Sequence, residues 1–103
     1  MDSNQTEIAT GRGHPHLRPN PDVIAQRMRD DVVLVHLRTD RIYELNRTGA
    51  RLWELISAGY DLVQIQAQML QEFDVDAAQL LEEIKEILAL MQKKDLVRVD
   101  ERG

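Results

Sequence analysis

The chain has no cysteine among its 103 residues. That excludes disulfides, thiol nucleophiles and cysteine-ligated metal. It also lacks any apolar run long enough to cross a bilayer as a helix. The stretch from Met1 to Thr10 is polar and has no apolar core of the signal-peptide kind. The expectation is a cytoplasmic, unexported protein. Positive charge is outweighed: 13 Lys and Arg stand against 18 Asp and Glu, a formal net charge of −5. An acidic domain is a poor electrostatic partner for nucleic acid or an anionic membrane surface. The length suits one domain with one modest core.

Residues 1 to 20 are polar, with glycine and proline (Pro15, Pro19) and almost no large apolar group. A flexible tail is expected there, with the folded domain over 21–100. Val23–Met28 reads as a first strand, Arg29-Asp30-Asp31 as a turn, and the β-branched run Val32–Leu37 as the best strand of the chain. Thr39-Asp40 is a second turn and Arg41–Leu45 a third strand. Such short connections imply an antiparallel meander.

Helices account for the rest. Tyr43 and Leu45 share one strand face, and Asn46 then caps a helix over Arg47–Ser57 that Gly59 stops. Leu52, Trp53 and Ile56 form its apolar stripe. Asp61 with Gln64, and Asp76 with Gln79, have the spacing of capping boxes for a second and a third helix, the third reaching about Lys94. Residues 95–99 form a short terminal strand or simply dock. The fold class is α+β: a small winged-helix-like domain with a three-stranded antiparallel sheet followed by three helices. In the third helix Leu80, Leu81, Ile84, Ile87, Leu88, Leu90 and Met91 cover about half the circumference, wider than the roughly 100° needed to face one core. Such a helix packs on two neighbours, or lends one margin to a partner.

Catalytic chemistry is missing. Gly11-Arg12-Gly13 has neither the Lys-Ser/Thr pair nor the preceding strand of a phosphate loop. Ser3 and Ser57 lack a histidine and acid arrangement. His14 and His16 have no third metal ligand nearby. His36, inside the best strand, is expected to be exposed on a sheet face or satisfied by a neighbour. Glu82, Glu83 and Glu86, interleaved with Lys85, read as a solvated helix face, and Asp76 is explained by capping, with Asp74 beside it. No enzyme, cofactor or metal site is expected. The helix pair with a strand beyond it admits one alternative, a winged-helix DNA-binding transcriptional regulator. Arg27, Arg29, Arg38, Arg41, Arg47 and Arg51 are the residues that would serve it, but the third helix opens with acids rather than base-reading side chains.

The residues from Tyr43-Glu44-Leu45-Asn46 through Thr48-Gly49-Ala50 and Leu52-Trp53-Glu54-Leu55-Ile56 to Gly59 carry a family likeness. Ile65, Leu70, Phe73-Asp74-Val75-Asp76 and the closing Leu96-Val97 extend it. The sequence resembles the PqqD-like family of recognition elements for ribosomally made, modified peptides, over roughly residues 19 to 99. The leucine-asparagine-x-threonine-glycine-alanine step is its most specific element. Lys94-Asp95 departs from the pattern, because the family usually carries glycine there.

The resemblance implies a non-catalytic domain that binds the leader segment of a precursor peptide and presents it to a separately encoded maturation enzyme. A leader protease and cyclase of the lasso-peptide kind and a radical-SAM enzyme both fit. It further implies that the leader adds as a strand along Arg41, Ile42, Tyr43, Glu44 and Leu45, with Leu81, Lys85 and Leu88 of the third helix as the other wall. An exposed strand edge suits that role on physical grounds, because its amides and carbonyls lack partners. Each residue also has a plainer role: Leu45, Tyr43 and Trp53 as core, Arg41 and Arg47 as surface charge.

Overall fold

The computed structural model describes residues 16–29 and 31–100. In chain order the elements are β1 (His16–Pro19), β2 (Val23–Met28), β3 (Asp31–His36), β4 (Arg41–Leu45), α1 (Arg47–Ser57), α2 (Leu62–Glu72), α3 (Ala77–Lys93) and β5 (Val97–Asp100). β2, β3 and β4 form an antiparallel sheet in that order, and three helices follow, as the sequence predicts. β3 alternates: Val32, Leu34 and His36 are buried, and the residues between them are half-buried. This is the period of a strand with one face on a core. Register sets Ala25, Leu34 and Tyr43 in one inward row and Arg27, Val32 and Leu45 in the next.

α1 lies against β3 and β4 and also contacts β1, α2 and α3. Its buried face is Gly49, Ala50, Leu52, Trp53, Leu55 and Ile56. Ile65 and Met69 from α2 and Leu80, Ile84, Leu88 and Met91 from α3 complete the core. Leu34 is fully buried at its centre, and truncating such a leucine to alanine costs about 3 kcal/mol.

The caps follow from local sequence. The Asn46 side chain accepts the Gly49 amide at 3.0 Å. Asp61 and Gln64 form a reciprocal box, with bonds of 2.8 and 2.9 Å. At Asp76 the carboxylate accepts from the Gln79 amide at 3.1 Å, the forward half of the same motif.

Two expectations change, and one alternative is decided. The folded body begins earlier than residue 21, because His16–Pro19 pairs antiparallel with Val97–Asp100 and buries Leu17. The remainder of the expected tail, 1–15, lies outside the described residues. Residues 97–100 are therefore a true strand rather than a docked end. The second predicted strand is shifted by one residue: Asp31 already pairs with Met28, while Leu37 leaves the ladder and donates its amide to the Asp22 carbonyl at 2.8 Å. Arg29 takes a positive φ of 62° in the turn, and position 30 lies outside the described residues.

Candidate functional site

β4 is the last strand of its sheet, so among the described residues its outer edge carries no strand partner. β2 is the other edge, but the two differ. β2 is exposed along nearly its whole length, whereas β4 buries Leu45 and half-buries Tyr43 against the core. A strand added beside β4 would continue a surface that already has a hydrophobic inner side. Tyr43 and Leu45 thus share the inward face, and Ile42 and Glu44 point outward, as expected. Ile42 is 69 % exposed and stands in one outward row with Val35 and Ile24. Arg41, the first residue of β4, is exposed opposite His36.

The helix-three residues fall on a different surface. Leu81, Lys85 and Leu88 line a groove of roughly 600 Å³ between α2 and α3, together with Leu62 and Gln66. No residue of β4 lines it. The structure therefore brings the three helix-three candidates together, and the five strand candidates together, on separate features. The other margin of α3 carries half-buried Ile87 and exposed Leu90. α3 buries a narrower stripe than its apolar sequence offers, which leaves both margins available.

Four of the six arginines are engaged and leave no continuous free basic patch. Arg27 pairs with Glu54. Arg51 donates to Glu72 through two nitrogens at 2.7 and 2.6 Å and to Glu54 at 3.1 Å. The Arg51 guanidinium holds the Glu72 carboxyl below the usual carboxylate range, with help from Gln68, and Arg51 is raised in turn by that bond. Arg47 stacks over the Phe73 ring at 5.1 Å, a cation–π contact that also fixes the α1 start against the α2 end. Arg38 lies 3.8 Å from Asp22. Trp53 is buried, as a core residue of α1.

His36 is satisfied by its neighbours and is almost wholly buried. It forms a cluster with Asn20 and Asp95 that the sequence did not announce. His16 bonds the Gly59 carbonyl at 3.0 Å. Among the described residues there is no group of three or more side chains arranged to hold a metal ion. His14 lies outside them. Nor does any helix of the described residues have the length and apolarity to cross a membrane.

Fold and site define a class: a small winged-helix-like α+β domain that presents an open strand edge beside a helical layer. The chain belongs to the PqqD family, coenzyme PQQ synthesis protein D, whose pattern it matches over residues 31–97. It is 32 % identical over 90 residues to the PqqA binding protein of Xanthomonas oryzae pv. oryzae strain PXO99A, covering 87 % of this chain and 96 % of that protein. The counterpart from strain MAFF 311018 is 31 % identical over the same length. Among solved structures, TbiB1 in complex with the TbiA(beta) leader peptide superposes with a TM-score of 0.74 at 26 % identity, covering 79 % of this chain and 94 % of that one. A lasso peptide synthetase B1 complexed with its leader peptide gives 0.72 at 16 % identity, over 81 % and 98 %, a likeness of fold.

Proposed function

We propose that this protein is a non-catalytic recognition element that binds the leader of a ribosomally made precursor peptide in the cytoplasm and presents it to a maturation enzyme. The observation that carries this reading is the likeness to TbiB1, a chain solved with a leader peptide, over 79 % of this chain. The leader adds as a strand on the free edge of β4, through the backbone of Arg41, Ile42, Tyr43, Glu44 and Leu45. Backbone bonds supply affinity, and alternate side chains supply choice. Inward positions of the leader meet Tyr43 and Leu45; outward ones meet Ile42 and Glu44. β4 offers five residues to a bound strand. The α2–α3 groove, with Leu81 and Leu88 for apolar contact and Lys85 for charge, gives a seat for a flanking segment. The enzyme that receives the peptide is a leader protease and cyclase pair or a radical-SAM enzyme.

The test is a titration of labelled protein with synthetic leaders, namely PqqA, the TbiA(beta) leader and the leader of any precursor encoded beside this gene, followed by backbone amide shifts. Shifts concentrated on residues 41 to 45 are expected. Tight, salt-dependent binding of duplex DNA with those amides silent would instead favour the regulator reading. Proline sharpens the test, because it removes an amide donor. Neighbouring residues alternate in the edge they face, so Ile42 and Glu44, two apart, turn their amides to the same edge, and Ile42→Pro and Glu44→Pro should both weaken binding. Equal indifference at both, in folded protein, would refute strand addition.

A further inference from the structure

α3 ends in a Schellman motif. The Leu96 amide bonds the Met91 carbonyl at 2.8 Å and the Asp95 amide bonds the Gln92 carbonyl at 3.1 Å. The residue between, Asp95, is held at φ +60°, a region that favours glycine. The turn itself asks nothing of a side chain there, yet the Asp95 carboxylate is engaged. Its Oδ2 accepts from Asn20 Nδ2 at 3.0 Å and lies 3.4 Å from His36 Nε2. Asn20 Nδ2 also donates to the Asp95 carbonyl at 2.8 Å, and Asn20 Oδ1 accepts the Asp22 amide at 2.9 Å. The Arg38 amide donates to His36 Nδ1 at 3.3 Å, so Nε2 is the ring nitrogen that carries the proton toward the carboxylate.

Asn20 is 0 % and His36 1 % exposed. Buried polar groups are tolerated only when partnered, and their bonds are directional in a way apolar packing is not. The cluster joins three places: the end of β1 through Asn20, the last residue of β3 through His36, and the α3–β5 turn through Asp95. His36 pairs across the sheet with Arg41, where β4 begins. α3 packs mainly on α1, α2 and β5 rather than on β4. The spacing between α3 and the free strand is therefore set at second hand.

We propose that Asn20, His36 and Asp95 are positioning residues that fix β4 relative to α3, and so set the seat of the peptide strand. The proposal rests on the reading of β4 as the docking strand. Asp95 ties the C-terminal end of α3 to the hairpin that presents β4.

Because the chain has no cysteine, two spin labels can be placed by Glu44→Cys and Glu86→Cys alone. Their distance distribution is then compared in the parent, Asp95→Gly and Asp95→Asn. Glycine suits the turn, so Asp95→Gly should stay folded while its distribution broadens. Asparagine tolerates the same φ and its Oδ1 accepts the same bonds, so Asp95→Asn should restore the parental distribution. His36→Gln reads the contact from its other end. Parental distributions in both Asp95→Gly and His36→Gln overturn the proposal. Leader affinity is measured separately on unlabelled protein, with the same three synthetic leaders. If the aligned state falls to roughly a tenth of molecules in Asp95→Gly, Kd rises about tenfold. Parental binding with equal affinity in Asp95→Gly refutes the positioning role. A parent that binds none of the leaders refutes the docking reading, and the distance measurement still decides whether the cluster fixes the spacing.

Discussion

The first and third helices end with the same backbone hydrogen bonds but different residues. After α1 the Tyr60 amide bonds the Leu55 carbonyl at 3.2 Å and the Gly59 amide bonds the Ile56 carbonyl at 3.1 Å. Gly59 holds φ +93°, and a Cβ added there would meet nothing within 4 Å. After α3 the identical pattern is built around Asp95 at φ +60°. Glycine adopts such a φ freely, while a residue with a side chain adopts it at some cost. His16 reaches the first turn only at the Gly59 carbonyl, whereas in the second turn the residue at positive φ makes a contact through its own side chain. A side chain accepted in a glycine position points to what it touches.

The largest effect should come from removing that contact at its most buried point. Asn20→Ala deletes the donor to the Asp95 carbonyl and the acceptor of the Asp22 amide. With buried groups left unpaired, a loss of about 3 kcal/mol is expected in a denaturant titration. Asp95 would then keep its uncomfortable φ with the His36 contact left to its carboxylate, while the α1 end stays as it was. A near-neutral result would mean that water replaces the Asn20 amide, and the contrast between the two ends would lose its basis.

Gly59→Ala probes the other end. With open space around the new methyl, only the backbone conformation resists it. The expected cost is about 1–2 kcal/mol, read from the same titration. Gly59→Asn should cost less, since asparagine enters the left-handed region more readily. If alanine were tolerated there without loss, φ would not be what distinguishes the two turns.

The two ends also differ in how legible they were. Gly59 could be read as a stop because it follows an amphipathic stripe at the right distance, and Asn46, Asp61 and Asp76 as caps because their partners lie three residues on. These are local signals. The strand Arg41–Leu45 and its inward face were legible for the same reason, through a period of two. What escaped was long-range pairing. His16–Pro19 looked like tail because prolines flank it and only Leu17 is large and apolar, and its partner strand lies at the far end of the chain. The burial of Asn20 and His36 against Asp95 has no local signature either. The departure from glycine at Asp95 was visible as a departure, yet only the fold supplies its reason. The margin of α3 that carries Leu81, Lys85 and Leu88 follows from where α2 packs, which helix periodicity alone does not fix.

The smallest expected effect is one of pH, and it separates the two helix ends most cleanly. The His36 contact, and secondarily Arg98, hold the Asp95 carboxyl below the usual aspartate range in the folded protein. A carboxylate whose folded value lies below its unfolded one contributes stability above the ordinary aspartate range, and that contribution fades as pH falls through the depressed value. Stability should therefore decline on acidification from about pH 5 downward, with Asp95 supplying part of the slope. Glu72, depressed by Arg51, supplies another part in the same direction, so the parent alone does not isolate Asp95. The difference between parent and Asp95→Asn does, because the variant keeps the fold of the turn and the Glu72 pair while losing one titrating group. Melting temperatures across that range should converge as the acid limb is descended, with the parent losing more than the variant. Parallel curves would mean that the carboxylate is worth no more to the fold ionised than protonated, and that its place at a glycine position owes nothing to its charge. Gly59→Ala, which alters a turn without a carboxylate, should run parallel to the parent throughout.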